Sequence, residues 1–145
     1  MRRKFQRLAL LAVAGLGLCL AGCRREVRYP ETGATLEGTV KYGTEKVLVA
    51  LVIAQGKDWS TSSFIGEDGR YRLSNAPLGE VTLAVNTDAG KGEMMGKLMA
   101  RSQLKSKDPV PKMINVPAKY ANPATSGIKT TVNKGPNTFD IVIAK

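Results

Sequence analysis

The sequence predicts an all-β domain, a two-sheet sandwich of about seven strands with one short helical insert, preceded by a cleaved leader. Three observations carry that expectation. Apolar residues come in short runs that alternate or are rich in Val and Ile. Gly, Pro, Asn and Asp clusters punctuate those runs at close intervals. Helical periodicity is confined to one stretch, near 92–105. At 145 residues the chain has the length of one domain.

Residues 1–22 read as an export signal. Arg2, Arg3, Lys4 and Arg7 are followed by an apolar run from Leu8 to Leu20. That run is about 13 residues, inside the ~7–15 of a signal core and short of the roughly 20 that span a bilayer as a helix. It ends in Leu20-Ala21-Gly22-Cys23. Small residues before a cut let an extended chain enter a peptidase cleft, and a thiol just after it can be acylated. The four residues resemble the bacterial lipobox. The resemblance implies a diacylglycerol on Cys23, cleavage before it, and an N-acyl chain on the new amino terminus; no other cofactor and no metal is expected. Two or more acyl chains hold a protein on a membrane where one is marginal. Cys19 falls in the removed segment. Cleavage takes four of the 22 basic residues and none of the 12 acidic ones, so the net charge drops from +10 to +6. An acylated Cys23 leaves no free thiol and no disulfide, so the core alone must hold the fold.

Residues 23–33 form a lipidated tether, with Arg24, Arg25 and Arg28 beside the lipid and Pro30 and Gly33 beyond. Those charges serve either a solvated spacer or contact with anionic headgroups, at ~1 kcal/mol each near a negative surface. The domain then occupies 34–145. Leu36-Glu37-Gly38-Thr39-Val40 alternates as a half-buried strand. Val47 to Ala54 is eight apolar residues between Gly43 and Gly56, read as a central strand. Ser62 to Ile65 and Arg70 to Leu73 flank Glu67-Asp68-Gly69, where Asp-Gly supplies the positive φ of a tight hairpin. Asn75 to Gly79 is a turn, and Val81, Leu83 and Val85 alternate after it. Ile128 to Val132 and Thr138 to Ile143 flank Asn133 to Asn137 as a last hairpin.

The insert spans 87–112. Gly90, Gly92 and Gly96 loosen its start, and Asp108-Pro109 with Pro111 ends it. Met94, Met95, Leu98 and Met99 recur at helical spacing, with Lys97, Arg101 and Lys105 on another face, so an amphipathic helix is expected over about 92–105. Its apolar stripe would cap an open end of the sandwich. A basic amphipathic helix can also lie on a membrane, and thioethers adapt to variable apolar partners or lid a ligand pocket.

From Phe64 to Val85 the order of parts resembles the carboxypeptidase regulatory-like domain: a strand, then Asp68-Gly69-Arg70-Tyr71-Arg72-Leu73, a Pro77-Leu78-Gly79 turn and a closing apolar strand. Leu36 to Val40 and Val47 to Ile53 resemble its opening pair. Val116 to Tyr120, and Thr125 through Asp140, resemble the tail of small bacterial envelope lipoproteins built on it. The resemblance covers most of 34–86 and 114–145 and implies a transthyretin-like (prealbumin-like, Ig-like) sandwich, in general a non-catalytic accessory. Enzymes on related folds use histidines. The urate-pathway hydrolases and the intradiol dioxygenases both need them, and this chain has none. Without imidazole there is also no Ser-His-Asp or Cys-His pair.

The remaining candidates are binding residues. Trp59, the only tryptophan, either closes the sandwich end or offers a ring to a sugar or protein partner. Met94, Met95 and Leu98 would line a pocket for a small apolar ligand. Glu67 and Asp68 are adjacent, but side chains on a turn diverge. The expected product is an envelope lipoprotein facing the periplasm or exterior. Its partners are membrane lipid through Cys23, envelope proteins or anionic envelope polymers; export removes nucleic acid.

Overall fold

A computed structural model describes residues 29–103 and 109–145, and its backbone is mostly β. The signal segment, Leu20, Ala21, Gly22, Cys23 and the arginines of the tether lie outside the described residues, as do Lys105 and Asp108.

Strand β1 (Ala34–Tyr42) turns back into the two-residue β2 (Glu45–Lys46), and the chain then crosses to β3 (Leu51–Gln55). β4 (Ser60–Phe64), β5 (Arg70–Ser74) and β6 (Gly79–Asn86) follow, then helix α1 (Thr87–Gln103). A 3-10 turn at Ala118–Ala121 and the single-turn α2 (Pro123–Ser126) precede β7 (Ile128–Val132), β8 (Gly135–Thr138) and β9 (Ile141–Ile143). Nine strands among the described residues make two sheets. One has the order β4-β3-β6-β7, and the other is built around β1, which pairs with β2, β5, β8 and β9.

The two-sheet sandwich expected from the sequence is present. The larger strand count has a simple origin: β2 is a two-residue bridge, and β8 and β9 are one line. Both run parallel to β1 in one unbroken register, from Ala34↔Gly135 and Glu37↔Thr138 to Val40↔Ile141 and Tyr42↔Ile143. The line is interrupted only at Phe139-Asp140. There the Phe139 N–H donates to Glu37 O at 2.8 Å. The Asp140 carboxylate accepts from the Thr39 N–H at 2.7 Å and its hydroxyl at 2.8 Å, in place of a backbone carbonyl.

Alternation places the core. Leu36, Val40, Tyr71, Leu73, Ile141 and Ile143 point inward from one sheet, and Val52, Ala54, Val81, Leu83, Val85 and Val132 from the other. Fully burying a side chain of this size contributes about 1.5–3 kcal/mol. Ser126, one of two buried polar residues among the described residues, donates its hydroxyl to the Leu83 carbonyl, tying the α2 turn to β6.

Four expectations are corrected. The Val47–Ala54 run is not one strand. Val47, Val49 and Ala50 are buried while crossing from one sheet to the other, and only Leu51–Gln55 is strand, central between β4 and β6. The Asp68-Gly69 turn is as tight as expected, with Gly69 at φ +72° and Gly66 N–H donating to Arg70 O at 2.8 Å. However, β4 and β5 belong to different sheets, so it is a corner and not a hairpin. The same holds for Asn133–Asn137, which carries the chain from β7 in one sheet to β8 in the other. Asn137 organises that corner, accepting from the Asn133 N–H at 2.9 Å and donating to Asn133 O at 2.7 Å and Thr35 O at 3.1 Å. Finally, the helix begins at Thr87, five residues before the expected start. The Asn86 side chain accepts from the Ala89 N–H at 2.9 Å, capping the helix directly at the end of β6. The glycines expected to loosen its start lie inside it.

Candidate functional site

The two sets of candidate binding residues occupy opposite ends of the sandwich. β1 and β6 run from one end to the other while β3 and β5 return. The tether, the 56–59 loop, the 75–79 turn and the 133–134 corner therefore share one end. The 65–69 corner and α1 share the other.

At the tether end, Trp59 is half-buried and stacks on Tyr29, with ring centroids 5.3 Å apart and 25° between planes. The incoming chain is fixed there by several hydrogen bonds. Asn75 Nδ2 donates to Pro30 O at 3.1 Å, and the Thr32 N–H donates to Asn75 Oδ1 at 2.7 Å. The Thr32 hydroxyl donates to Ala76 O at 2.8 Å. Asn75 adopts φ +53°, a left-handed conformation that Asn tolerates better than most residues. Beside the stack is a cleft of about 450 Å³ whose wall includes Pro30, Lys57, Trp59, Pro77, Leu78 and Lys134. Leu78 is 48% exposed. Sequence reasoning singled out Trp59 but not Tyr29; an aromatic in a tether carries no signal until its stacking partner is placed.

At the far end, the Met/Leu stripe of α1 divides. Met94 and Leu98 are half-buried, whereas Met95 and Met99 are 48% and 64% exposed. The expectation of a continuous apolar cap is therefore corrected: only Thr87 and Gly90 of α1 are fully buried. Gly90 lies so near the Ala50 backbone that a Cβ built on it would fall 2.5 Å from Ala50 Cα. That close approach seats the start of the helix against the Ala50 backbone. Beneath Met94 a cavity of about 470 Å³ is walled by Leu48, Ile65, Gly66, Glu67, Lys97, Arg101, Pro109 and Pro111. Met95 and Leu98 do not line it. The prolines enter the wall although sequence reasoning used them only to end the helix. The basic helix face is partly neutralised, since Lys97 pairs with Glu93 at 3.5 Å and Arg101 with Glu67 at 3.4 Å.

Glu67 and Asp68 do diverge. Glu67 reaches Arg101 on the helix, while Asp68 meets the Arg72 guanidinium at 2.6 Å and accepts from the Arg70 N–H at 3.0 Å. The Arg72 hydrogen bond, then that of Arg70, holds the Asp68 carboxyl below its ordinary range. Asp140 is lowered likewise by the Thr39 hydroxyl and N–H. Among the described residues no three His, Cys, Asp or Glu side chains converge as metal ligands, and no helix is long and apolar enough to cross a membrane.

No protein-family model matches the chain, and neither the curated proteins nor the solved structures give a match.

Proposed function

We propose that this chain is an exported bacterial lipoprotein, acylated on Cys23, that displays a non-catalytic β-sandwich as a structural or binding module of the cell envelope. In this reading the sandwich is of the transthyretin-like, carboxypeptidase regulatory-like kind. The observation that carries it is the join between the address and the fold. Cys23 stands only six residues ahead of Tyr29, where the chain enters a hydrogen-bonded end of the sandwich. The basic segment, apolar run and Leu20-Ala21-Gly22-Cys23 thus end where the folded module begins. The Asp68-Gly69-Arg70-Tyr71 stretch supports a structural role for the motif, because its tyrosine is fully buried and donates to Phe139 O at 2.6 Å. Intact mass of the protein from the membrane fraction is expected to correspond to a chain starting at acylated Cys23, and Cys23→Ala to release or mislocalise it. An unmodified product beginning at another residue would refute the reading.

A second reading, carriage of a small ligand with an apolar body, is favoured by the cavity under Met94, where Leu48, Ile65, Pro109 and Pro111 supply apolar wall alongside the charged Glu67, Lys97 and Arg101. A fluorescent fatty-acid analogue would then bind the wild-type chain, and Met94→Trp, whose larger side chain narrows the space, would weaken that binding. Equal binding by both proteins removes this reading.

A further inference from the structure

Lipid attachment at Cys23 leaves little freedom over which end of the sandwich meets the bilayer. The chain is pinned at residues 30–32 by Asn75 and Ala76. Five residues, 24–28, then separate Tyr29 from Cys23, and the six extended steps between them reach at most about 20 Å. Within that reach the tether end presents a mixed surface. Tyr29 is 54% exposed, Leu78 48%, and Trp59 stacks beside them with Lys57 and Lys134 at the margin. Trp and Tyr favour the headgroup level of a bilayer, where an apolar ring body and a polar edge are both accommodated, and lysine stems extend along the same boundary. The cleft's own charges balance, Lys57 and Lys134 against Glu31 and Asp58. The excess lies in residues 24–28, where three arginines face one glutamate. Attraction to anionic lipid thus acts through the tether, and the apolar contact through the rings.

We propose that this end docks on the bilayer surface, with Tyr29, Trp59 and Leu78 entering the headgroup region, so that the protein stands upright with α1 and its cavity directed away from the membrane. The placement rests on the lipid-anchored reading of Cys23. The occupant is the lipid surface itself, because the anchor holds that surface within tether length of these three side chains.

Trp59 is the only tryptophan, so the unaltered protein carries its own probe. The full lipoprotein, purified from membranes, is reconstituted in vesicles of phosphatidylethanolamine and phosphatidylglycerol, with and without bromine on the upper acyl chain. Docking is expected to blue-shift Trp59 emission relative to the Cys23→Ala protein in solution. It is also expected to make that emission quenchable by bromolipid and to shield it from acrylamide. Leu78→Asp, with a melting temperature checked against wild type, is expected to lose the bromolipid quenching while still floating with the vesicles. Flotation of the wild-type protein with unquenched, acrylamide-accessible Trp59 would overturn the docking and leave the anchor standing. Failure to float, with no acyl mass on Cys23, would overturn both. A Leu78→Asp protein quenched like wild type would also overturn the proposed surface.

Discussion

Gly38 and Tyr71 show how closely the terminal strands are fitted. A Cβ built on Gly38 would fall 1.9 Å from Phe139 O, the oxygen that accepts from the Tyr71 hydroxyl. Gly38→Ala must therefore push the β8–β9 line off β1, and a loss of about 3 kcal/mol is expected in denaturant unfolding. Tyr71→Phe keeps the ring but leaves a carbonyl short of its partner, at about 1–3 kcal/mol. Burial, reinforced by the nearby Asp140 charge, pushes the Tyr71 hydroxyl far above its ordinary pKa, so it remains a donor at any ordinary pH. Glu45 behaves oppositely. Hydrogen bonds from Lys112 and then Lys145 lower its carboxyl from the ordinary 4.5 to about 2. A depressed folded-state pKa contributes stability that is present above 4.5 and fades as pH falls towards about 2. Glu45→Gln is expected to lower Tm slightly at pH 6, with the difference shrinking as pH falls through that window. Added salt should narrow it too, because these charges face solvent.

At the scale of elements, α1 offers a contrast between glycines. Gly92 and Gly96 have open space where a Cβ would go, whereas Gly90 abuts the Ala50 backbone. Gly92→Ala and Gly96→Ala should each stabilise the chain by up to about 1 kcal/mol through helix propensity. Gly90→Ala should destabilise it despite the same propensity gain, because the helix must lift from the sheet. Thermal melts of the three variants check the ordering, and equal shifts would contradict the docking described for Gly90. The helix was legible from its Met and Leu spacing, but its start was not. Asn86 ends a strand and caps a helix at once, and only the Asn86–Ala89 hydrogen bond distinguishes the second role. Strands were legible wherever one face is buried, as in β1, because burial on one side writes alternation into the residues. Sheet membership was not. Asp68-Gly69 dictates a tight reversal, and a tight reversal serves a hairpin and a corner between sheets equally well. The continuous apolar stretch at Val47–Ala50 misleads for a related reason, since a chain crossing the end of a sandwich is buried without alternating.

For the whole molecule, the layout separates two surfaces by the length of the strands, roughly 25 Å for the eight residues of β6. Trp59 and Met94 were both legible as candidates. Their separation was not, because it depends on which sheet end each loop closes. If the tether end rests on lipid, the cavity beneath Met94 opens towards whatever lies beyond the membrane. Cross-linking from a photoreactive residue at the exposed Met99 should then recover envelope proteins or polymers, and the same residue at Leu78 should recover phospholipid.

The parallel pairing of β1 with the β8–β9 line also decides how the molecule bears force. Its first strand starts at the tether end, and its last strand finishes at the opposite one. A load applied between the start of β1 and the end of β9 therefore slides these two strands past each other lengthwise. The bonds from Ala34 to Tyr42 share that load together and do not open one after another like a zipper. Pulled between those two points, the sandwich should yield at a higher force than when pulled across the β1–β2 turn, where the bonds open singly.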